Sequence, residues 1–405
     1  MDIKELFINN ILAKEFNKAL AAIDKREYYK AIVLLKKVLR KQEFKEAWLN
    51  LGVAYKGTNN LSLAADCFHK AIDADTPFSD TKFSSNWPVA LTNLGLVYYC
   101  REMDSLAEEC YLRALKEDPM YYDAIWNLSI VKLRQYCSRR DVDLGLAWTY
   151  YSYRFKRKGA EPLKSMKTDL ELWDYSSKGS SIVVLMEQGM GDAMMFGCYL
   201  KYLEKYFSKI WIQCTPEMDY LFTDYLVCRD PIDTDAAVGV PMCSLGRLVN
   251  WIPDGNWLSG KYIAKKKEGP LEIMCIWGGT STHTNSANRD APAGLFDGLA
   301  KYGNLHSVQK RKGYTLMPVV DWKTTIEYLE KIDLVITIDS SVAHLCGSLG
   351  KPCLVLMPLN DTDFRWGDTS MGTDNLWYKS VKVIRNSGDW VNVFDQVKVI
   401  VECLK

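Results

Sequence analysis

Two glycines and an acidic residue follow an apolar run within the segment Glu187-Gln-Gly-Met-Gly-Asp192. Glycines permit a tight turn and let a ligand approach the backbone without a Cβ in the way. A helix that begins here would direct its free N–H groups at an anion or a polarised oxygen. Asp192 would then be either a helix cap or a general base beside a bound substrate, with Gln188, Gly189 and Gly191 next to it. The residues alone leave both alternatives open.

A second segment, Asp339-Ser-Ser-Val-Ala-His344, lies between a buried five-residue run and an apolar helical pattern. The hydroxyls of Ser340 and Ser341, together with the local N–H groups, can hold a phosphate at the start of the helix. His344 lies one turn further on the same face and would add a charge-assisted hydrogen bond to a diphosphate. The alternative is a Ser/Asp cap followed by a histidine of the protein core.

Two further segments follow predicted strands. Gly278 and Thr280 belong to a loop of residues 277–289 that is rich in glycine and hydroxyl side chains. Such a loop is typical of a phosphate cradle, but a polar surface loop has the same composition. Gln309 and Lys310 open a segment with cations at 310–312, which would lie near the same strand ends. A solvated charge run is the alternative there.

Alternating strands and helices must position these segments. The pattern reads strand, helix, strand, helix over residues 181–225, and it restarts at residue 272 and continues to residue 404. This alternation predicts parallel sheets covered by helices on both faces. We therefore predict two α/β halves, residues 159–268 and 269–405. Because ligands bind at the carboxyl ends of parallel strands, the four segments should surround one cleft.

The N-terminal third is a repeat. In the copy that begins at Pro88 the repeat positions are occupied by Leu91, Leu94, Gly95, Tyr98, Ala107, Tyr111, Ala114 and Pro119. This is the tetratricopeptide pattern, in which each unit is a pair of antiparallel helices. A second copy begins at Lys45, and weaker copies begin near Leu12 and at Tyr122. Small residues at the eighth and twentieth positions should let the paired helices approach closely.

The repeats predict a superhelical domain over residues 1–158. Residues 78–87 should form a loop inserted between the second and third units, and the turn of the fourth unit is lengthened over residues 137–143. The aromatic-rich segment 144–154 should be a helix that docks the repeats onto the next domain. Residues 156–167 have the composition of a linker.

Composition excludes several classes of function. The 51 basic and 50 acidic residues nearly cancel, so no general positive field attracts nucleic acid. The twelve cysteines include no C-x-x-C pair, and only four histidines are present, so a metal centre is not expected. The cysteines lie among apolar residues, as small buried side chains in a reducing compartment do. No apolar run is long enough to span a membrane and no signal peptide is visible, so we expect a cytoplasmic protein.

Taken together, the motifs resemble one family. They occur in the order Glu187–Asp192, Ser307–Lys310, Asp333–Pro352, Asp363–Trp366, Leu376–Tyr378 and Gly388–Trp390. This chain resembles tetratricopeptide-bearing bacterial proteins whose catalytic part is similar to ADP-heptose:lipopolysaccharide heptosyltransferases. Those enzymes are GT-B glycosyltransferases, built from two Rossmann-like halves that face a cleft, and they are distantly similar to O-linked N-acetylglucosamine transferases. Met195 and Ser340 stand where that family usually has a glutamine and a threonine.

The resemblance implies a metal-independent, inverting transfer of a sugar from a nucleotide diphosphate sugar to a hydroxyl of a glycan or protein, with no cofactor. The C-terminal half would bind the nucleotide sugar through Gly278, Thr280, Gln309, Lys310, Asp339, Ser340, Ser341 and His344. The other half would bind the acceptor through Gln188, Gly189 and Gly191, with Asp192 as the general base.

Other functions remain open at this point. The chain would alternatively be a non-catalytic scaffold that retains the fold, with repeats that bind a protein partner or a second copy of the chain. An epimerase is disfavoured, since Gly189-Met-Gly191 does not continue to the third glycine of a dinucleotide fingerprint.

Overall fold

The computed structural model describes residues 3–73, 88–157, 159, 170–229, 234–262, 269–279, 289–318, 321–360 and 362–404. The chain divides into two compact units. The first comprises residues 1–131 with 156–159, and the second comprises residues 132–155 with 160–405. The predicted loop at 78–87 lies outside the described residues, as does most of the predicted linker.

Helical pairs occupy the N-terminal part of the chain, as the repeat predicts. The helices are α1 (Ile3–Asp24), α2 (Tyr28–Leu39), α3 (Lys45–Gly57), α4 (Leu61–Asp73), α5 (Pro88–Cys100), α6 (Asp104–Glu117), α7 (Tyr122–Arg139) and α8 (Leu144–Tyr151). Within the first unit, a Cβ on Gly52 would lie 2.5 Å from Cε1 of Phe68, and one on Gly95 would lie 2.6 Å from Cε1 of Tyr111. The close approach predicted for these small residues is therefore confirmed.

The second unit begins within α7 and contains two parallel sheets. Helix α7 continues to Arg139, so it absorbs part of the segment predicted to lengthen the turn. The Asp143 carboxylate accepts the Leu146 N–H and begins α8, and a 3₁₀ helix over Ser152–Lys156 follows. This agrees with the helix predicted at 144–154.

The first sheet has the strand order β1-β5-β2-β3-β4, and all its pairs are parallel. Its strands are β1 (Glu171–Leu172), β2 (Gly179–Leu185), β3 (Phe207–Gln213), β4 (Leu226–Cys228) and β5 (Val238–Pro241). Helix α9 (Met190–Phe196) follows β2 and continues as a 3₁₀ helix over Gly197–Lys205. The helix predicted to follow the first strand of the 181–225 pattern is therefore a 3₁₀ helix from Gly197 onward. The short strands β1, β4 and β5 had no clear signal in the sequence.

The second sheet has the order β11-β10-β9-β6-β7-β8, also with parallel pairs throughout. Its strands are β6 (Leu271–Ile276), β7 (Gly303–Ser307), β8 (Thr315–Leu316), β9 (Leu334–Ile338), β10 (Cys353–Met357) and β11 (Val381–Arg385). Its helices are α10 (Ala293–Phe296), α11 (Trp322–Leu329), α12 (Ser341–Leu349) and α13 (Trp390–Glu402). Strands β9 and β10 are buried at every position, which accounts for their continuous apolar sequences. The predicted fold class, helical repeats followed by an α/β part with parallel sheets, is therefore confirmed.

The strand orders explain where the candidate residues meet. The chain leaves β2 toward β3 and β4 on one side and returns to β5 on the other. In the second sheet it likewise leaves β6 toward β7 and β8 and returns to β9 on the other side. Such reversals open a crevice at the carboxyl ends of the strands, where ligands of this fold class bind. The segments after β2, β6 and β9 are those that begin at Glu187, Trp277 and Asp339.

Candidate functional site

The carboxyl ends of the two sheets enclose a cavity of about 590 Å³. Its volume is within the range of small-molecule sites. Its walls are formed by Gly189, Met190, Gly191, Asp192, Met274, Ile276, Gly278, Gly279, Arg289, Val308, Met317, Trp322, Thr325, Asp339, Ser340, Ser341, Val342, His344, Asp363 and Arg365. The cavity thus joins the first, second and third predicted segments.

Helix α12 begins at the cavity without a side-chain cap of its own. Ser340 is the N-cap residue in extended conformation, yet its hydroxyl does not bond to a helix N–H group. It lies 2.9 Å from the hydroxyl of Thr337 instead. The Ala343 N–H donates to the Ser340 carbonyl at 3.0 Å, so among the described contacts the N–H groups of Ser341 and Val342 and the hydroxyl of Ser341 are those left to an anion in the cavity.

Both halves meet at Gly191. A Cβ at this position would lie 2.9 Å from Cδ2 of His344 and 3.3 Å from Cα of Ser341. Gly191 is therefore required for close packing of α9 on the start of α12. The structure thus gives Gly191 a packing role that the sequence did not indicate, and room for a ligand at this glycine stays a prediction.

The Asp192 carboxylate combines the two roles left open by the sequence. One oxygen, Oδ2, accepts the Gly189 N–H at 3.0 Å, which is a helix-capping contact. The other oxygen, Oδ1, is paired with the Arg365 guanidinium from the opposite half. The side chain is still 16% exposed and lines the cavity. Since each carboxylate oxygen can accept more than one hydrogen bond, both contacts leave acceptor capacity toward the cavity.

Arg365 was not selected as a candidate from the sequence, although it belongs to the Asp363–Trp366 motif. Its Nη1 donates to the Asp363 carboxylate at 2.6 Å, and its Nη2 donates to Asp192. Burial acts to lower the pKa of Arg365, but the carboxylates of Asp192 and Asp363 hold it well above its ordinary value. The guanidinium is therefore a permanent positive charge between two carboxylates.

Asp339 stands directly before Ser340, the N-cap residue of α12. Burial, and then the nearby Asp363 carboxylate, raise the pKa of Asp339 to about 6. The Trp366 indole and the guanidinium groups of Arg365 and Arg289 oppose that rise. A carboxyl group that titrates near neutrality is a common feature of functional sites.

His344 is buried in the wall of the cavity rather than exposed as a cation. Its ring stacks on Trp366 at 5.0 Å between centroids, and its Nδ1 lies 3.0 Å from the Tyr378 hydroxyl. Burial, and then Arg365, lower the pKa of His344 to about 3. The imidazole is thus neutral at pH 7, and the charge-assisted bond expected from the sequence requires correction. A neutral ring that accepts from Tyr378 at Nδ1 carries its proton on Nε2 and can donate it to a ligand.

Gln309 supports the loop after β6 instead of lining the cavity. Its side-chain oxygen accepts the Trp277 N–H at 3.2 Å, and its Nε2 donates to the Gly278 carbonyl at 3.0 Å. The Asp290 carboxylate accepts the Gly279 N–H at 3.2 Å and fixes the other side of that turn. Gly278 itself lies on the cavity wall, whereas Thr280 lies outside the described residues.

The cation run at 310–312 contributes no residue to the described cavity wall. Lys310 is exposed, and Arg311 forms a bidentate ion pair with Asp297. Besides Arg365, which is paired with two carboxylates, the described cavity wall contains the cation Arg289, whose Nε is buried without a hydrogen-bond partner among the described residues. The loop of residues 277–289, which is predicted to be a phosphate cradle, therefore also contains a cation that lines the cavity. Sequence spacing does not show which of Arg289 and Lys310 would line it.

The far wall of the cavity is apolar. Met274, Val308, Met317 and Trp322 line it from the C-terminal half. Trp322 begins α11, whose N-terminus is capped by the Asp321 carboxylate. An aromatic and methionine-rich wall next to an anion-binding helix start matches the two chemistries of a nucleotide, namely a flat base and phosphate groups.

Within the described residues, no group of three or more His, Cys, Asp and Glu side chains is arranged to hold a metal ion. In the same part of the chain, no helix combines the length and the apolarity that a membrane span requires.

Comparison with known proteins supports the repeats. The tetratricopeptide repeat family model matches residues 45–77, beginning at the residue where the second copy was predicted. No curated protein sequence matches the chain.

Several solved structures are similar at low identity. An O-GlcNAc transferase variant from Thermobaculum terrenum is 12% identical and covers 100% of this chain and 93% of its own, with a TM-score of 0.37. A family 9 glycosyltransferase from Veillonella parvula is 11% identical over 58% of this chain and 99% of its own, with a TM-score of 0.40. MamA is 21% identical over 35% of this chain and 75% of its own, with a TM-score of 0.29. These scores are low, so any conclusion about activity rests on the cavity itself.

Proposed function

We propose that this protein is a glycosyltransferase that moves a sugar from a nucleotide diphosphate sugar to a hydroxyl acceptor. One observation carries the proposal: the uncapped start of α12, with Ser341 and Arg289, shares one cavity with Asp192 from the opposite half. An anion site and a carboxylate thus face the same space from the two sides of a cleft. A sugar transfer needs this pairing, since one side must hold the leaving diphosphate and the other must take a proton.

The donor would lie along the C-terminal half. Its diphosphate would accept hydrogen bonds from the first-turn N–H groups of α12, from Ser341 and from the neutral His344 ring, and Arg289 would supply positive charge. The nucleoside would lie against the apolar wall that contains Met317 and Trp322. These fixed N–H dipoles and the guanidinium stabilise the charge that develops on the leaving group, so we propose that transfer proceeds without a metal ion.

The acceptor hydroxyl would be activated by Asp192. Its oxygen forms a bond to the anomeric carbon, its proton passes to the Asp192 carboxylate, and the electron pair of the broken glycosidic bond leaves with the diphosphate. Attack from the face opposite the diphosphate would invert the anomeric configuration. Arg365 orients the Asp192 carboxylate before the acceptor binds. Gly189 and Gly191 would border the acceptor, whereas Gln188 is not among the described cavity-lining residues.

Nucleotide binding is the first test. Nucleoside diphosphates with different bases would be screened by thermal shift, because a ligand present at 100 times its Kd stabilises the folded state by about 2.7 kcal/mol. His344→Ala should weaken the response of any nucleotide that binds. The absence of a response from every nucleotide would refute the transferase proposal and favour the scaffold alternative.

The base assignment is tested separately. Asp192→Asn should leave nucleotide binding within about twofold of wild type and reduce release of nucleoside diphosphate from the matched nucleotide sugar by at least about 100-fold, the scale of a lost general base. Asp339→Asn is the matched control on the other side of the cavity. Transfer that survives Asp192→Asn but is lost in Asp339→Asn would move the base to Asp339.

The remaining proposals concern context. A heptosyl-type donor follows from the motif resemblance alone and is offered as the first nucleotide sugar to try. The repeats are proposed to bind a protein partner or a second copy of the chain, as tetratricopeptide helices commonly do. The cytoplasm is the proposed compartment.

A further inference from the structure

The end of α7 and the region of α8 belong to the same compact unit as the two sheets. Side chains from this segment, residues 132–155, contact both of the loops that meet at the Asp192–Arg365 pair. One set reaches the turn at 187–192, and another reaches the segment 362–368. None of these side chains takes part in the transfer proposed above.

Arg154 is anchored on the residue that opens the turn. Its Nε donates to Glu187 Oε2 at 2.9 Å, and its Nη2 donates to the other oxygen of that carboxylate. The same guanidinium donates to the Ser244 hydroxyl at 2.9 Å. Arg154 and Glu187 are only 6% and 5% exposed. A bidentate pair at this depth fixes both the position and the orientation of the Glu187 side chain.

Tyr151 contacts the next residue of the turn. Its hydroxyl lies 3.3 Å from the Gln188 Nε2, which donates to it. Gln188 has a φ of 61°, a left-handed conformation that is unfavourable for a residue with a Cβ. Such a conformation persists only where the surroundings hold it. Here Tyr151 contacts Gln188 itself, and Arg154 contacts Glu187, the residue before it.

The segment that carries Arg365 is held from the end of α7. Arg134, which is fully buried, donates to the Thr362 carbonyl at 3.4 Å. The Cys137 thiol lies 3.7 Å from the Phe364 carbonyl. Ser138 donates to the carboxylate of Asp368.

Trp148 fills the space between the two anchored loops. Its ring lies 5.6 Å from Phe196 on α9 and 6.5 Å from Phe364 on the other side, measured between centroids. It is only 1% exposed, and a Cβ on Gly246 would lie 2.5 Å from it. Rings packed at these separations without free volume transmit displacement rather than absorb it.

We propose that Tyr151 and Arg154 are positioning residues for the sugar transfer: they hold the 187–192 turn with Gln188 in its left-handed conformation, and thereby hold Asp192 against Arg365. Neither is among the described residues of the cavity wall, so they act through Glu187 and Gln188. The proposal rests on the proposed function for its kinetic consequence, whereas the order of the turn is a property of the folded chain with or without activity.

The test uses the full chain with two variants. Tyr151→Phe removes one hydroxyl and keeps the ring. The double variant Arg154→Met/Glu187→Gln removes the buried pair without leaving a lone charge, and the Gln side chain can still accept the Cys243 N–H that Glu187 accepts at 3.1 Å. The control is Arg157→Met/Asp123→Asn, which removes an ion pair of 2.8 Å in the first unit.

Hydrogen exchange measured by mass spectrometry on wild type and variants gives the first readout. In the double variant the amides of 188–192 should exchange at least about tenfold faster, while those of 342–349 should be unchanged. Tyr151→Phe should have a smaller effect in the same direction, and the control should have none. Unchanged exchange at 188–192 in both variants would overturn the proposal, even if the protein transfers no sugar.

Kinetics give the second readout when transfer is detected. The double variant should lower kcat at least tenfold while KM for the nucleotide sugar stays within twofold, and Arg154→Lys should recover part of the loss. An unchanged kcat with a lowered melting temperature would reduce the pair to a structural role and overturn the proposal. If the wild-type protein binds no nucleotide, the proposed function is refuted. The hydrogen-exchange result at residues 188–192 then still tests whether Tyr151 and Arg154 hold the turn.

Discussion

Asp339→Asn should make the folded protein more stable at neutral pH while altering its candidate site. Burial, and then the Asp363 carboxylate, raise the pKa of Asp339 from its ordinary value of 3.8 to about 6. A difference of about two pKa units corresponds to about 3 kcal/mol. Because Asp339 lines an open cavity that water can enter, we expect about 2 kcal/mol.

The sign follows from proton binding. Between pH 4 and pH 6 the folded state holds the Asp339 proton more tightly than the unfolded state does, so stability falls as pH rises through this window. Above pH 6 the folded state carries the full cost of an ionised Asp339. The asparagine variant is neutral throughout, so its advantage should be near zero at pH 4 and reach about 2 kcal/mol at pH 7.5.

The assay is urea unfolding of wild type and variant between pH 4 and pH 8, with near-UV circular dichroism reporting on the aromatic rings. Asp333→Asn, at the other end of the same strand, is the matched control, because its carboxylate accepts the Glu272 N–H at 2.8 Å and its loss should bring no gain. A variant that is less stable than wild type at pH 7.5, or whose advantage does not depend on pH, would refute the reasoning.

The remaining predictions concern packing and charge. Gly191→Ala should abolish nucleotide-dependent thermal stabilisation, since its Cβ would lie 2.9 Å from a ring of the facing half. Gly189→Ala, whose nearest contact would be 3.3 Å from the Asp192 carboxylate on the acceptor side, should bind nucleotide nearly normally. Arg289→Ala should weaken nucleotide binding at least about tenfold in titration calorimetry, the value of a lost charge-assisted bond, while Lys310→Ala should stay within twofold; the reverse order would contradict the cavity assignment. Gly52→Ala should lower the unfolding free energy of the repeat unit by about 1–3 kcal/mol, because its Cβ would lie 2.5 Å from a buried aromatic ring, and an unchanged denaturation midpoint would contradict this packing.

Long, strongly patterned elements could be predicted from the sequence. Helix α12 and strand β10 belong to the strand–helix alternation predicted after residue 272, since β10 is a continuous apolar run and α12 is followed by Gly350 in the left-handed conformation that ends helices. The short strands β4 and β8 could not be predicted. They have three and two residues, too few for a periodic signal, and they exist because a neighbouring strand offers them hydrogen bonds.

Some residues of the candidate site could be identified from the sequence and others could not. Asp192, Ser341 and His344 were found because each lies in a motif at a strand-to-helix junction, and local sequence determines such junctions. Arg365 and Arg289 were not chosen, because their importance depends on which carboxylates they face. Asp192 is 173 residues from Arg365 in the chain, and no local pattern records that contact.

The sequence by itself determined the repeats, the alternation of strand and helix, and the glycine and hydroxyl turns, because each follows from the periodicity or backbone preference of neighbouring residues. Only the tertiary structure decided the electrostatic state of the site. From its sequence context, His344 could be a cation or a neutral core residue; in the fold, burial and Arg365 lower its pKa to about 3. The sequence likewise does not determine the charge of Asp339; in the fold, burial and Asp363 raise its pKa to about 6. A pKa depends on solvent access and on charges brought together from distant parts of the chain, and those are properties of the fold rather than of any segment.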